Sequence, residues 1–576
     1  MARDRSQPIR PPGGDRAREL ASAPGNLSPA SFLAAAGLWL IACLWFPLTD
    51  TDIWWHLASA KLMWARKAFL REDPFCLVSF GVPWADLHWG FQCLSYAAWK
   101  LGGAQALVAG KCLAVAGALG LALKPHLDRR TLPWLIPLAA FGIYQVRFFI
   151  DVRPLALTLL GLAIQYAAAV SHLRGGLRRP WLILIPTQIA LVNIQGLYPL
   201  GALLVTCLLL GEAIARRAAG KPRKPAEAGP AWDRPTALMG LSAPGTDLRP
   251  LAWTVAVLWL CGFASPYGKS GFALPLSLLG RIAPVPSNIF SREIAENLPL
   301  LDLIRHHPWE ALPFLVLGGA VVYTFLRARK RTSPGHVLLF LAFAALGWMA
   351  QRNLPLALLA GLMAAGRNLQ VSPVRLPAYA GWAALAAVAL SYGPKVRAAW
   401  EYELPGSLET PFRFPVPAVA YLENHPLPGN LFNELRYGGY LEFRLYPRTL
   451  AFVDGRMILR TPEFYRGFLE AVDHPEGFEA YRARYGITHA LLPISEDRRF
   501  LPLAAHLLRD GWTLLYCDGA SALLADSATV AAAKPPILPV HQAISDRFGA
   551  NPRLQAMATA NAVEFLGAAA RDEAPP

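Results

Sequence analysis

The sequence predicts an all-α polytopic membrane domain of about eleven spans followed by a small external α/β domain. Three observations carry that expectation. Only 16% of the 576 residues are charged and 54% are hydrophobic, whereas a soluble globular protein carries about a quarter charged residues. Apolar runs such as Ser31 to Leu48, Pro154 to Val170, Leu197 to Ile214 and Pro308 to Leu326 reach the length a helix needs to cross a hydrocarbon core of about 30 Å. Beyond about residue 393, charged residues and turn signals become frequent.

In chain order, residues 1–30 form an arginine-bearing tail (Arg3, Arg5, Arg10, Arg16, Arg18). No small-x-small cleavage site follows the first apolar run, which therefore reads as an uncleaved signal anchor with the N-terminus in the cytoplasm. The transmembrane domain occupies 31–392, with spans near 31–48, 104–122, 131–147, 154–171, 181–193, 197–215, 251–265, 308–326, 336–350, 354–366 and 376–391. Short cytoplasmic loops are enriched in Lys and Arg, which places Lys124, Arg129 and Arg130 inside, and with them Arg174, Arg178 and Arg179, the stretch Arg216 to Lys224, Arg327 to Arg331, and Arg367 with Arg375. Strict alternation does not bring every cluster to one side, so at least one weak span, 181–193 or 354–366 among them, is misplaced or re-entrant. Gly268 to Leu279 reads as a further re-entrant or surface piece. The Pro-, Gly- and Ala-rich stretch 218–250 reads as a disordered cytoplasmic linker.

Residues 393–528 form the external α/β domain. Its segment YGGYLEFRLYPRTLAFVDGR, Tyr437 to Arg456, shows strand-like residues bounded by Gly, Pro and Asp-Gly. The tail 529–576 is Ala- and Pro-rich, with a helical stretch near 539–566. The net charge of +16 is spread between the apolar runs and not gathered on one domain, which argues against a nucleic-acid partner. Seven cysteines without a CxxC pair indicate neither a zinc site nor a disulfide framework.

The chemistry-bearing stretch is DTDIWWHLAS, where the first span ends in the external loop 49–88. Asp50 and Asp52 emerge with Trp54 and Trp55, which read as interfacial anchors. As a helix, Asp52 to Leu70 sets Trp54, Trp55, Leu57, Leu62 and Phe69 on one side. Asp52, His56, Ser59, Arg66 and Lys67 fall on the other, so it would lie in the membrane plane with its polar side facing an aqueous pocket. Asp86 and His88 close the same loop. Other span ends read as external carry Arg147, Asp151, Arg153, Asn193, Gln195, Tyr267, Arg281, Arg292, Glu293 and Arg352. Capping and mutual charge pairing account for any one of them; their concentration on one face points to a substrate site.

An acidic pair just after the first span, in a long external loop with an in-plane helix, resembles the GT-C superfamily of membrane glycosyltransferases. DTDIWWHLASAKLM, REDPF, VPWADLHWG, VRPLALTLL, LVNIQGLYPLG and FNELRYGGYLEFRLYPRTLAFVDGR are similar, in order from about Asp50 to Pro493, to a bacterial GT-C-like group. Gln195 stands where that group commonly has histidine, the acidic-aromatic pair near Glu296 and Asn297 is reduced, and the WWD motif of oligosaccharyltransferases is missing. The resemblance implies a glycosyltransferase of the bacterial inner membrane that moves a sugar, with inversion, from a polyprenyl-phosphate-linked donor to an envelope glycan, lipid or protein on the external face. It implies Asp52 as general base and Asp50 as its partner in acceptor positioning or metal binding, a divalent cation such as Mg or Mn being an open option. Arg153 and Arg352 follow as phosphate clamps, with His56, Asp86, His88, Arg147, Gln195 and Glu293 as further substrate-binding candidates. The alternatives are a non-catalytic scaffold for envelope glycans and lipids or, less well supported because few charges lie at mid-span, a transporter.

Overall fold

The computed structural model describes residues 29–219 and 240–571, apart from 283, 284, 286, 287, 330, 375, 401–407, 496 and 497. The tail before residue 29, most of the linker 218–250 and Arg375 therefore lie outside the described residues.

The N-terminal part is helical: α1 (Pro29–Leu44), α2 (Asp52–Arg66), α3 (Trp89–Leu123), α4 (Leu132–Val146), α5 (Pro154–Leu173), α6 (Trp181–Val192), α7 (Pro199–Ala219), α8 (Arg249–Leu260), α9 (Gly268–Ile282), α10 (Ile289–Glu293), α11 (Leu300–His306), α12 (Pro308–Ala328), α13 (Pro334–Met349), α14 (Leu354–Val371) and α15 (Ala378–Trp400). Each predicted span coincides with a helix. Among the described residues six helices, α3, α4, α5, α7, α12 and α14, are long and apolar enough to cross a membrane, and α1, α6 and α13 are shorter apolar helices. This is a multi-pass membrane protein. Helices α8 and α9 meet at a bend of 100°, and Gly268 to Leu279, read from the sequence as a re-entrant or surface piece, lies in the second arm of that bent pair. The backbone of α3 leaves helical geometry at Gly102 and Gly103, so the predicted span 104–122 is the second half of a longer element.

The C-terminal part holds α16 (Val416–Asn424), β1 (Asn430–Asn433), α17 (Leu435–Leu445), α18 (Pro462–Asp473), α19 (Phe478–Tyr485), β2 (Ile487–Pro493), α20 (Leu501–Arg509), β3 (Thr513–Cys517), β4 (Ser521–Ala525), α21 (Ser527–Ala533), α22 (Val540–Phe548) and α23 (Pro552–Ala570). The sheet order is β1-β2-β4-β3, with β1 parallel to β2 and the other pairs antiparallel. Phe432, Phe452, Phe468 and Leu524 share one buried core with Phe548 and Phe565 of the last two helices.

Two local expectations are corrected. Leu435 to Leu445, rich in strand-favouring aromatics, is the helix α17, started by the Glu434 side chain accepting from the Arg436 amide at 2.9 Å. It is a helix despite Gly438 and Gly439 because those glycines admit close contacts: a Cβ at Gly439 would stand 2.9 Å from the Trp55 amide nitrogen. As a consequence α2 is not a half-exposed in-plane helix. Trp54, Trp55, His56 and Ser59 are all buried, and Trp54 packs edge-on against Trp99, Phe414 and Tyr440 instead of anchoring in an interface.

Candidate active site

The loop into α2 is fixed first. The Asp151 carboxylate accepts from the Thr49 amide (2.9 Å), Thr49 Oγ1 (2.7 Å), the Asp50 amide (2.7 Å) and the Val152 amide (2.7 Å), with Lys111 Nζ at 3.5 Å. One buried carboxylate thereby ties the end of α1 to the turn before α5, setting Asp50 opposite Arg153. Arg153 grips Asp50 with two donors, Nε to Oδ2 at 2.5 Å and Nη2 to Oδ1 at 3.0 Å, and reaches Glu296 Oε2 with Nη1 at 2.6 Å. This is the planar fork that arginine forms and lysine cannot. Burial pushes the Glu296 carboxyl up, but Arg153, Arg352 and Arg413 outweigh it and hold it below its usual range.

Asp52 stands differently. Its amide donates to Asp50 Oδ1 at 3.1 Å, while its residue retains partial exposure. Burial of the carboxyl, then the neighbouring Asp50 and Glu296 charges, push it up to about 7 against the pull of Arg153. On its far side lies Gly455 of the Asp-Gly-Arg turn, so close that a Cβ there would overlap Asp52 Oδ1. Arg352, in the turn between α13 and α14, lies within electrostatic reach of Glu296, Arg153 and Asp52. Among the described residues it has neither a hydrogen-bond nor an ion-pair partner. Beside that turn an apolar cavity of about 300 Å³ runs between α4, α12, α13 and α14, with Trp348 and Leu354 at the Arg352 end and Phe314 and Gly318 further along.

Asp50, Asp52, Arg153 and Arg352 are thus brought together. The other candidates make their direct contacts elsewhere. His56 lies tilted against Trp55, with His88 and Phe91 around it, and burial, with Arg456 and Arg153 in electrostatic reach, keeps its imidazole neutral. Asp86 is buried and caps the His88 amide at 3.1 Å. Arg147 donates to the Tyr144 carbonyl and lies over the Tyr144 and Phe148 rings. Gln195 accepts from Thr158 Oγ1 at 2.7 Å. Glu293 pairs with Arg499 of the α/β domain, which also holds Asp473; Glu296, one turn further on, is the acid that enters the cluster.

A second buried charge cluster joins the loop 49–88 to the α/β domain. Arg456 pairs with Asp73 (2.9 Å), Glu442 (3.0 Å) and Asp454, and Arg460 with Asp454 (2.9 Å). Three carboxyls face two guanidiniums, and burial pushes Glu442 well up toward its neutral form, which evens the charges. Cys76, Glu442 and Asp454 offer ligand atoms within 4.8 Å of one another, spacing that suits a metal ion; here the arginines already supply the countercharge. Both Asp50 oxygens face Arg153, so a divalent ion held between Asp50 and Asp52 would compete with that guanidinium for the same carboxylate.

Among solved structures, the archaeal oligosaccharyltransferase AglB from Archaeoglobus fulgidus, in complex with an inhibitory peptide and a dolichol-phosphate, is similar over 86% of this chain and 74% of that one, with a TM-score of 0.50 and 14% identity. The chain shares that protein's fold over most of its length. The apo form of the Archaeoglobus fulgidus oligosaccharyltransferase covers 86% and 74% with a TM-score of 0.48 and 14% identity. ArnT from Cupriavidus metallidurans bound to undecaprenyl phosphate covers 87% and 98% with a TM-score of 0.40 and 13% identity. No family model and no curated protein matches the chain. In this fold the acidic pair, Arg153 and Arg352 meet at the junction of the helical part with the α/β domain.

Proposed function

We propose that this protein is a glycosyltransferase of the bacterial inner membrane, with its N-terminus in the cytoplasm and the α/β domain outside. It transfers a sugar from a polyprenyl-phosphate-linked donor to an acceptor hydroxyl with inversion at the anomeric carbon. The observation that carries this is Asp52: a partly exposed carboxyl, set about neutral pH by burial and like charges, beside an arginine that has no partner among the described residues and an apolar cavity.

Asp52 accepts the acceptor hydroxyl proton, the oxygen bonds to the anomeric carbon, and the carbon–oxygen bond to phosphate breaks. A base tuned near the working pH suits that proton transfer. The phosphate leaves with added negative charge, and Arg352 is the guanidinium free to receive it. Arg153, with its donors committed to Asp50 and Glu296, serves as the brace that aligns the acids and lends positive charge to the site. The cavity beside Arg352 takes part of the polyprenyl chain.

The test is mass spectrometry of envelope glycolipids and glycans from wild-type cells, a strain lacking the gene, and that strain carrying Asp52→Asn at matched abundance. Transfer through Asp52 requires a sugar addition lost in the null and not restored by the variant. Full restoration removes Asp52 as base and favours a binding scaffold.

A further inference from the structure

A second apolar cavity, of about 250 Å³, approaches the same cluster from another side. It lies between α3 and α5, shares no lining residue with the cavity beside Arg352, and has Arg153 in its wall together with Phe91, Leu107, Gly110 and Leu157. Water needs about two to four polar partners to occupy such a space, and the candidates here are Ser95, Lys111 and Arg153. Lys111 is turned to Asp151 and the Phe46 ring, and Arg153 to Asp50 and Glu296. The cavity is therefore suited to hydrocarbon. No cation in its wall is left over for an anionic head, while Asp50, the carboxylate that the wall residue Arg153 grips, is one backbone contact from Asp52.

Resting on the glycosyl-transfer reading above, we propose that the acceptor is a second lipid: its hydrocarbon chain occupies the α3–α5 cavity and its hydroxyl-bearing head reaches Asp52. The two lipids then enter from separate cavities, and the sugar crosses between them at the carboxylate. The new bond joins the acceptor oxygen to the anomeric carbon, Asp52 takes the hydroxyl proton, and the polyprenyl phosphate departs with the bonding electrons.

Gly110 and Gly318 supply matched probes, because each lines one cavity and a Cβ on either meets nothing within 4 Å. The full-length Gly110→Leu and Gly318→Leu variants are produced at matched membrane abundance in the strain lacking the gene, and their organic-phase and aqueous-phase glycoconjugates are compared by mass spectrometry. An unchanged thermal unfolding transition of each purified variant shows that the fold is retained, and polyprenyl phosphate binding to each is read by native mass spectrometry. The expected result is a sugar-bearing lipid in the organic phase, lost in the null and reduced at least tenfold by Gly110→Leu, which still binds polyprenyl phosphate; Gly318→Leu weakens that binding instead. A product confined to protein or water-soluble glycan, or full restoration by Gly110→Leu, overturns the second-lipid inference, marks the cavity as an annular lipid site only, and leaves glycosyl transfer standing. A null strain with no altered glycoconjugate in either phase overturns the transferase reading itself.

Discussion

The pH dependence of transfer follows from where Asp52 sits. Burial and the charges of Asp50 and Glu296 raise its carboxyl to about 7, so the ionised base is present above that pH and is lost as the pH falls through it. With one proton controlling the base, the rate is expected to be level above about pH 8 and to fall roughly tenfold per unit below about pH 6.5. An unperturbed Asp, titrating near 3.9, would leave the rate flat over this range. Asp52→Asn removes the titrating group: the residual rate becomes nearly independent of pH and drops about 10²- to 10⁴-fold, which is roughly 3 to 5 kcal/mol of barrier. Glu296→Gln removes one of the like charges and frees Arg153 to act on Asp52, so the inflection moves to lower pH. The assay is release of polyprenyl phosphate by the purified protein in lipid nanodiscs between pH 5 and 9. A profile flat from pH 5 upward, or an Asp52→Asn variant that keeps the wild-type inflection, refutes the reasoning.

Three further outcomes are expected. Gly455→Ala places a methyl on Asp52 Oδ1, so transfer falls at least tenfold while the melting temperature changes little, because Asp52 is partly exposed and can move aside; unchanged transfer would contradict the contact. Arg352→Gln breaks no ion pair among the described residues, so the protein stays folded; losing a charge-assisted bond worth about 1.5–3 kcal/mol weakens polyprenyl phosphate binding about 10- to 150-fold in a titration. Arg456→Met leaves the buried Asp73 without its ion-pair partner, while Asp454 keeps Arg460, which costs about 3–5 kcal/mol and is read as a lowered thermal unfolding transition.

The helices were legible in the sequence because lipid imposes length and apolarity on each one separately, and Asp50, Asp52, Arg153 and Arg352 were legible because charges at span ends are few. What sequence patterning missed depends on distant partners. Helix α2 has a two-sided pattern, yet its Trp54 side meets α17 about 380 residues later, and nothing near Trp54 announces that Tyr440 and Phe414 will cover it. Aromatic content made α17 resemble a strand; its glycines are there for a close crossing, which a local propensity cannot register. Glu293 closes the short helix α10 and Glu296 follows in the next turn, and only the positions of Arg153 and Arg499 decide which acid faces the site. The Asp73–Glu442–Asp454–Arg456–Arg460 cluster is divided between segments far apart in the chain; the Asp-Gly-Arg motif was its one visible trace.

The most direct measurement is a single-turnover experiment. Purified wild-type and Asp52→Asn proteins in nanodiscs are each mixed with a polyprenyl-phosphate-linked sugar pool and a lipid extract of the null strain, and products are followed by mass spectrometry. Stoichiometric polyprenyl phosphate and a new sugar-bearing product from wild type, with neither from Asp52→Asn within the same time, is the expected result. Equal turnover by the two proteins, or donor bound but never cleaved by wild type, would contradict a carboxylate-driven glycosyl transfer at this site.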